Sequence, residues 1–163
     1  MNIQMSWVRG HATANFFGRE IPVLNRVRNH ANGLRDLENP EEVIHTMPQT
    51  GGIGVPYMPS DFPGGIWRIC DIKPKASKYL APFFISTDAW QPVEEWATDS
   101  DGSYSGPTGR MVDDSGYGIH FSTSSTTLGC LRVVNESDLS WLVEQIKATW
   151  AASEQVYFQV SEA

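Results

Sequence analysis

The sequence predicts a mainly β protein with one helix near its C-terminus. Three observations carry that prediction. Fourteen glycines and ten prolines are spread along 163 residues, so apolar runs are short and turns frequent. Several short segments alternate apolar and polar residues, the period of a half-buried strand. Only one segment, after Asn135, carries apolar residues at helical spacing.

In chain order, "ATANFFGREIPVLN" reads as two short strands with a turn near Gly18. "HANGLRDLENPEEVIHTMPQTGGIG" is polar and turn-rich, with Pro40, Glu41 and Glu42 able to start a helical turn. "GGIWRICDI" reads as a strand with Ile66, Arg68, Cys70 and Ile72 on one face and Trp67, Ile69 and Asp71 on the other. Cys70 is expected in the core, where cysteine is commonly found. "YLAPFFIST" reads as a second, more buried strand, and Ala97–Gly109 as a long loop. "YGIHF" and "CLRVV" are strands or strand ends. Asn135 can cap the helix, with Asp138 favourable in its first turn. Leu139, Leu142, Val143, Ile146 and Trp150 then form an apolar stripe. "QVYFQV" closes the chain as a strand. There is no internal repeat or linker, and the length suits one domain spanning 1–163.

The net charge of −7, with no Lys/Arg run, argues against nucleic acid and against an anionic membrane surface. No stretch approaches the roughly 18 apolar residues of a membrane span. The N-terminal segment lacks the pattern of a secretory signal. His11, His30 and His45 lack metal-ligand spacing, so no metal site is expected. "DSDGSYSG" has oxygen ligands but not the downstream Glu of an EF-hand and reads as a solvated loop. Asp113 and Asp114 read either as flanking a site or as a surface turn. The aromatics Trp67, Trp90, Trp96, Tyr57, Tyr79 and Phe83 read mainly as core, with one or two lining a cleft.

The chemistry concentrates in "GYGIHFSTSSTTLGCLRVVNESD", Gly116–Asp138, where His120 precedes Cys130 by ten residues and Arg132 follows. In an antiparallel hairpin pairing 120 with 130, His120, Cys130 and Arg132 share one face and Gly118 leaves room beside the arginine. Tyr117, Ile119, Leu131 and Val133 fill the other face as core. An imidazole beside the thiol would make a nucleophile, Gly129 would let backbone approach a substrate, and Arg132 could hold a carboxylate. The plain alternative is a buried cysteine and a structural histidine.

"GIHFSTSSTTLGCLRVVNESDLSWLV" resembles the signature of the L,D-transpeptidase catalytic domain, the YkuD-like family: a strand ending in His-Gly, a spacer, then Ser-x-Gly-Cys-[Ile/Val/Leu]-Arg, a helix and a closing strand. "FPGGIWRICDI" is similar to an upstream strand of that domain. The resemblance implies a β-sandwich/barrel and a cysteine-dependent acyl transfer on peptidoglycan stem peptides through a thioester. It implies Cys130 as nucleophile, His120 as general base and Arg132 as support. It places Gly129, Thr127, Gly118 and Tyr117 at the substrate and oxyanion region, with a backbone carbonyl often orienting the histidine. Phe121 stands where the family has Gly, the spacer is shorter, and Leu128 replaces a residue often His. Whether the outcome is cross-linking, carboxypeptidation or hydrolysis stays open.

The expected enzyme is a transferase or hydrolase without cofactor, a monomer whose partners are stem peptides. It would act on the cell wall or periplasm, and phage-encoded or delivered origin would reconcile that with the absent signal. The rivals are a non-catalytic wall-binding or virion-structural β domain and a metal-dependent wall hydrolase. His before Cys disfavours papain-like peptidases, which run Cys before His.

Overall fold

The computed structural model describes residues 1–24, 62–75, 82–98, 104–121 and 130–162. Among them are strands β1 (Met5–Val8), β2 (Thr13–Phe16), β3 (Arg19–Leu24), β4 (Gly65–Pro74), β5 (Phe83–Thr87), β6 (Trp90–Thr98), β7 (Tyr104–Ser115), β8 (Gly118–Phe121), β9 (Leu131–Val133) and β10 (Tyr157–Ser161), and one helix, α1 (Glu136–Ala151). Eight strands close a barrel in the order β1-β10-β4-β5-β8-β9-β3-β2, and β6 and β7 form a separate two-stranded ribbon. The fold is mainly β with one helix near the C-terminus, as the sequence predicts. No helix among the described residues is long and apolar enough to cross a membrane.

The first hairpin shows how local chemistry sets register. Phe16 pairs with Arg19, which leaves Phe17 and Gly18 as a two-residue loop. Both have positive φ, 52° and 81°, the twist that suits a tight hairpin. The Asn15 side chain accepts from the Gly18 N–H at 3.1 Å. β1 closes the barrel by running parallel to β10, Met5 opposite Phe158. The Gln4 side chain secures this seam, donating to the Gln155 carbonyl and accepting from the Tyr157 N–H, each at 2.9 Å.

The barrel interior is apolar. Phe158 meets Phe16 and Phe62 edge-on at 5.8 and 5.4 Å, an arrangement favoured by ring electrostatics. Ile21, Ile69, Ile85, Ile119 and Leu131 are fully buried around them, and Leu139, Leu142 and Ile146 bring the helix stripe into the same core. Each such side chain contributes about 1.5–3 kcal/mol by leaving water.

Three local expectations are corrected. Cys70 is exposed, not core. Ile69 pairs with Thr87 and Asp71 with Ser86, so Cys70 is the extra residue of a β-bulge. The bulge resets the alternation: Ile69 faces inward before it, and Ile72 is the half-buried residue after it. The strand therefore does not keep 66, 68, 70 and 72 on one face. The expected loop over 97–109 is largely strand, with Ala97 opposite Gly106 and Thr98 opposite Tyr104. Asn135 stands at the helix N-cap in extended conformation, but its side chain makes no capping bond and donates instead to Asp138 at 3.3 Å. Pro40–Glu42, His30, His45, Tyr57 and Tyr79 lie outside the described residues.

Candidate active site at the β8–β9 seam

β8 and β9 are neighbours in the barrel, and they run parallel rather than antiparallel. Ile119 pairs with Leu131, His120 with Arg132 and Phe121 with Val133. The expected pairing of 120 with 130 is therefore replaced. Cys130, the residue before β9, falls in line with Gly118, two positions along from His120. The sorting into two faces survives, because parity within each strand is unchanged. Tyr117, Ile119, Leu131 and Val133 are all buried and face the core. Strand spacing of about 4.8 Å and a rise of about 3.3 Å per residue put positions 120 and 130 roughly 8 Å apart on the shared face.

His120 is only 7 % exposed although it lies on the face opposite the core residues. Its register partner across the β5–β8 ladder is Phe84, and the two rings stack at 6.0 Å with 23° between planes. Nδ1 lies 3.2 Å from the Phe121 carbonyl oxygen. A carbonyl only accepts, so Nδ1 carries the proton and Nε2 keeps its lone pair. Burial lowers the basicity of the imidazole, the Phe121 carbonyl partly offsets this, and the Arg132 guanidinium lowers it further. The histidine is thus neutral at physiological pH, the form a general base requires.

Cys130 is half-buried. Its S–H donates to the Gly116 carbonyl at 3.8 Å, and the Gly118 N–H donates back to the sulfur. Burial pushes the thiol up to about 11, with the Asp114 charge adding and the Gly118 bond opposing. Among the described residues, the ring of His120 is hydrogen-bonded to the Phe121 carbonyl and not to this sulfur. The resting pair is a neutral thiol and a neutral imidazole, not an ion pair. Gly118 is sterically required, because a Cβ there would collide with the Phe84 ring and lie 2.5 Å from the Ile85 oxygen. Arg132 is half-buried, with its guanidinium 6.0 Å from the centre of the Phe121 ring.

Tyr117 presents its ring to the interior, against Phe62 at 5.6 Å. Its hydroxyl donates to Asp114 Oδ2 at 2.7 Å and accepts from Gln91 Nε2 at 2.8 Å. Its carbonyl accepts from the Thr87 hydroxyl at 2.6 Å. Gly129 and Thr127 lie outside the described residues.

Phe84, Gly116 and Gln91 were not singled out from sequence as site residues, whereas Asp114 reads either as flanking a site or as part of a surface turn. One signal for Asp114 was present. Consecutive strand residues face opposite sides, so one member of Asp113-Asp114 must turn inward. Asp114 does, at 1 % exposure, while Asp113 is exposed. Of the aromatics, Trp90 is exposed and Trp67 half-buried, its Nε1 donating to Pro63. His11 is exposed, and no cluster of metal-ligating side chains occurs among the described residues. Comparison with family models, with curated proteins and with solved structures gives no match.

Proposed function

We propose that this chain is a cysteine-dependent acyltransferase of the L,D-transpeptidase type, acting on peptidoglycan stem peptides through a thioester on Cys130. The observation that carries this reading is the shared face of Cys130, His120 and Arg132, with the imidazole held neutral and its Nε2 lone pair available.

In this reading the nucleophile is made on demand. The Cys130 sulfur attacks the carbonyl carbon of an L,D peptide bond while its proton passes to His120 Nε2. The tetrahedral intermediate collapses, the C–N bond breaks, and the leaving amine of the D-residue takes the proton from Nε2. An amine of a second stem, or water, attacks the thioester and gives its proton to Nε2. The proton returns to sulfur as the acyl group leaves. One bridging water, or tightening on substrate binding, closes the gap between Nε2 and sulfur. Arg132 offers a bidentate partner for a substrate carboxylate on the same face.

One observation favours a second reading, a non-catalytic β domain of cell wall or virion: a thiol pushed up to about 11 with no imidazole hydrogen-bonded to it. Mass spectrometry of muropeptides incubated with wild type and Cys130→Ser separates the two. Loss of a terminal D-residue marks carboxypeptidation and a new dimer marks cross-linking, each absent with Cys130→Ser. Wall binding by both proteins with no product from either supports the binding domain and ends the enzymatic reading.

A further inference from the structure

The Cys130 sulfur meets backbone groups of the 116–118 segment. Gly116 supplies the carbonyl that accepts its proton and Gly118 the N–H that donates to it. Between these two glycines sits Tyr117, pinned at its carbonyl by Thr87, at its hydroxyl by Gln91 and Asp114, and at its ring by Phe62. Asp114 closes this arrangement from the end of β7, three residues upstream. A carboxylate at 1 % exposure is expensive to bury unless it is well satisfied.

We propose that Asp114 and Tyr117 are positioning residues for Cys130: their hydrogen bond fixes the 116–118 segment so that its carbonyl and N–H grip the sulfur. The segment is short and two of its three residues are glycines, which have the greatest backbone freedom to lose. The β5–β8 ladder holds the segment at Gly118, opposite Ser86, and the tyrosine anchor holds the residue before it. Asp114 has a second effect through space, since its negative charge opposes formation of a thiolate. The hydroxyl of Tyr117 moderates that charge by donating to it. Among the described residues, the other ionisable groups on the site face are His120 from β8, which is neutral, and Arg132 from β9, whose positive charge acts in the opposite sense to Asp114. The inference rests on Cys130 being the nucleophile, but its readout needs no turnover, so its failure is separable from failure of the proposed activity.

The test is the rate of Cys130 alkylation by iodoacetamide, followed by peptide mapping from pH 7 to 10 in a Cys70→Ser background. Below its midpoint the rate tracks the thiolate fraction, so one unit of thiol acidity reads as about tenfold. Asp114→Asn keeps an oxygen for the tyrosine but removes the charge, and it is expected to accelerate alkylation a few-fold, because burial rather than Asp114 is the main cause of the raised thiol. Tyr117→Phe keeps the ring in the core and the Thr87 bond to its carbonyl but removes the hydroxyl that donates to Asp114, and it is expected to slow alkylation several-fold. Opposite signs are the signature, because simple loosening of the fold accelerates both. Acceleration of both, or a change below twofold in both, overturns the proposal. Circular dichroism checks folding. Should Asp114→Asn not fold, Tyr117→Phe alone decides: slowing supports the proposal, and no change or acceleration overturns it.

Discussion

His120 and Arg132 stand directly opposite each other across the parallel β8–β9 pair. A guanidinium in that place disfavours a second positive charge on the imidazole. Arg132→Gln is therefore expected to raise the basicity of His120, seen as an upward displacement of its NMR titration midpoint. The midpoint should stay below 6.5, because burial rather than Arg132 is the largest cause of the lowering. An unchanged midpoint would show that the two groups do not communicate.

The two thiols should differ sharply in reactivity. Cys70 is exposed, whereas Cys130 is half-buried and its thiol is pushed up to about 11. At pH 7 only about one Cys130 in ten thousand is thiolate, against a few per cent for an ordinary free cysteine. Iodoacetamide at pH 7.5 should label Cys70 first, and Cys130 labelling should climb about tenfold per pH unit. Faster labelling of Cys130 at neutral pH would mean that its sulfur is already activated at rest.

Two groups give stability a defined pH dependence. For His120, folded and unfolded chains both hold a neutral imidazole well above 6.5. As pH falls below 6.5 the unfolded chain binds a proton before the folded one, so stability falls. Cys130 acts at the other end. Between its ordinary 9.0 and about 11, only the unfolded chain loses the proton, so stability falls as pH rises. Urea denaturation at pH 5, 7 and 10 should show a maximum at 7. His120→Gln should flatten the acid side and Cys130→Ala the alkaline side.

Gly118→Ala tests the packing beside the sulfur. The new methyl would meet the Phe84 ring and the Ile85 carbonyl oxygen, and a backbone oxygen yields less readily than a side chain. Overpacking of this kind costs about 1–3 kcal/mol. Urea denaturation should show that loss, and Phe84→Ala in the same chain should recover part of it. Failure of the double variant to recover would locate the strain at the carbonyl instead.

Much of the fold is legible because it is local. The Phe17–Gly18 turn, the strands on either side of it, the helix stripe from Leu139 to Ile146 and the closing β10 each rest on residue pattern within a short window. The inward set Tyr117, Ile119, Leu131 and Val133 is likewise written in alternation alone. The Cys70 bulge was not legible, since a one-residue slip of the ladder leaves no mark in composition. The paired ends of β6 and β7 around Ala97 and Gly106 read as loop because their glycine, proline and serine content outweighs a pairing that only the partner strand supplies.

The site divides along the same line. Alternation by itself put His120, Cys130 and Arg132 on one face, because side-chain direction is fixed by parity within a strand. Strand direction is a different matter. Only residues 122–130 separate β8 from β9, and parallel neighbours commonly need a dozen or more, so the spacing favours a hairpin. Barrel closure decided otherwise: β8 is already paired antiparallel to β5 and β9 antiparallel to β3, which leaves the two parallel to each other. That choice moved Cys130 two positions from His120 and brought its sulfur to Gly116, Gly118 and the Asp114–Tyr117 pair. Which residues share a face is a property of the chain. Which of them meet belongs to the ladder, and the ladder is set by strands far away in sequence.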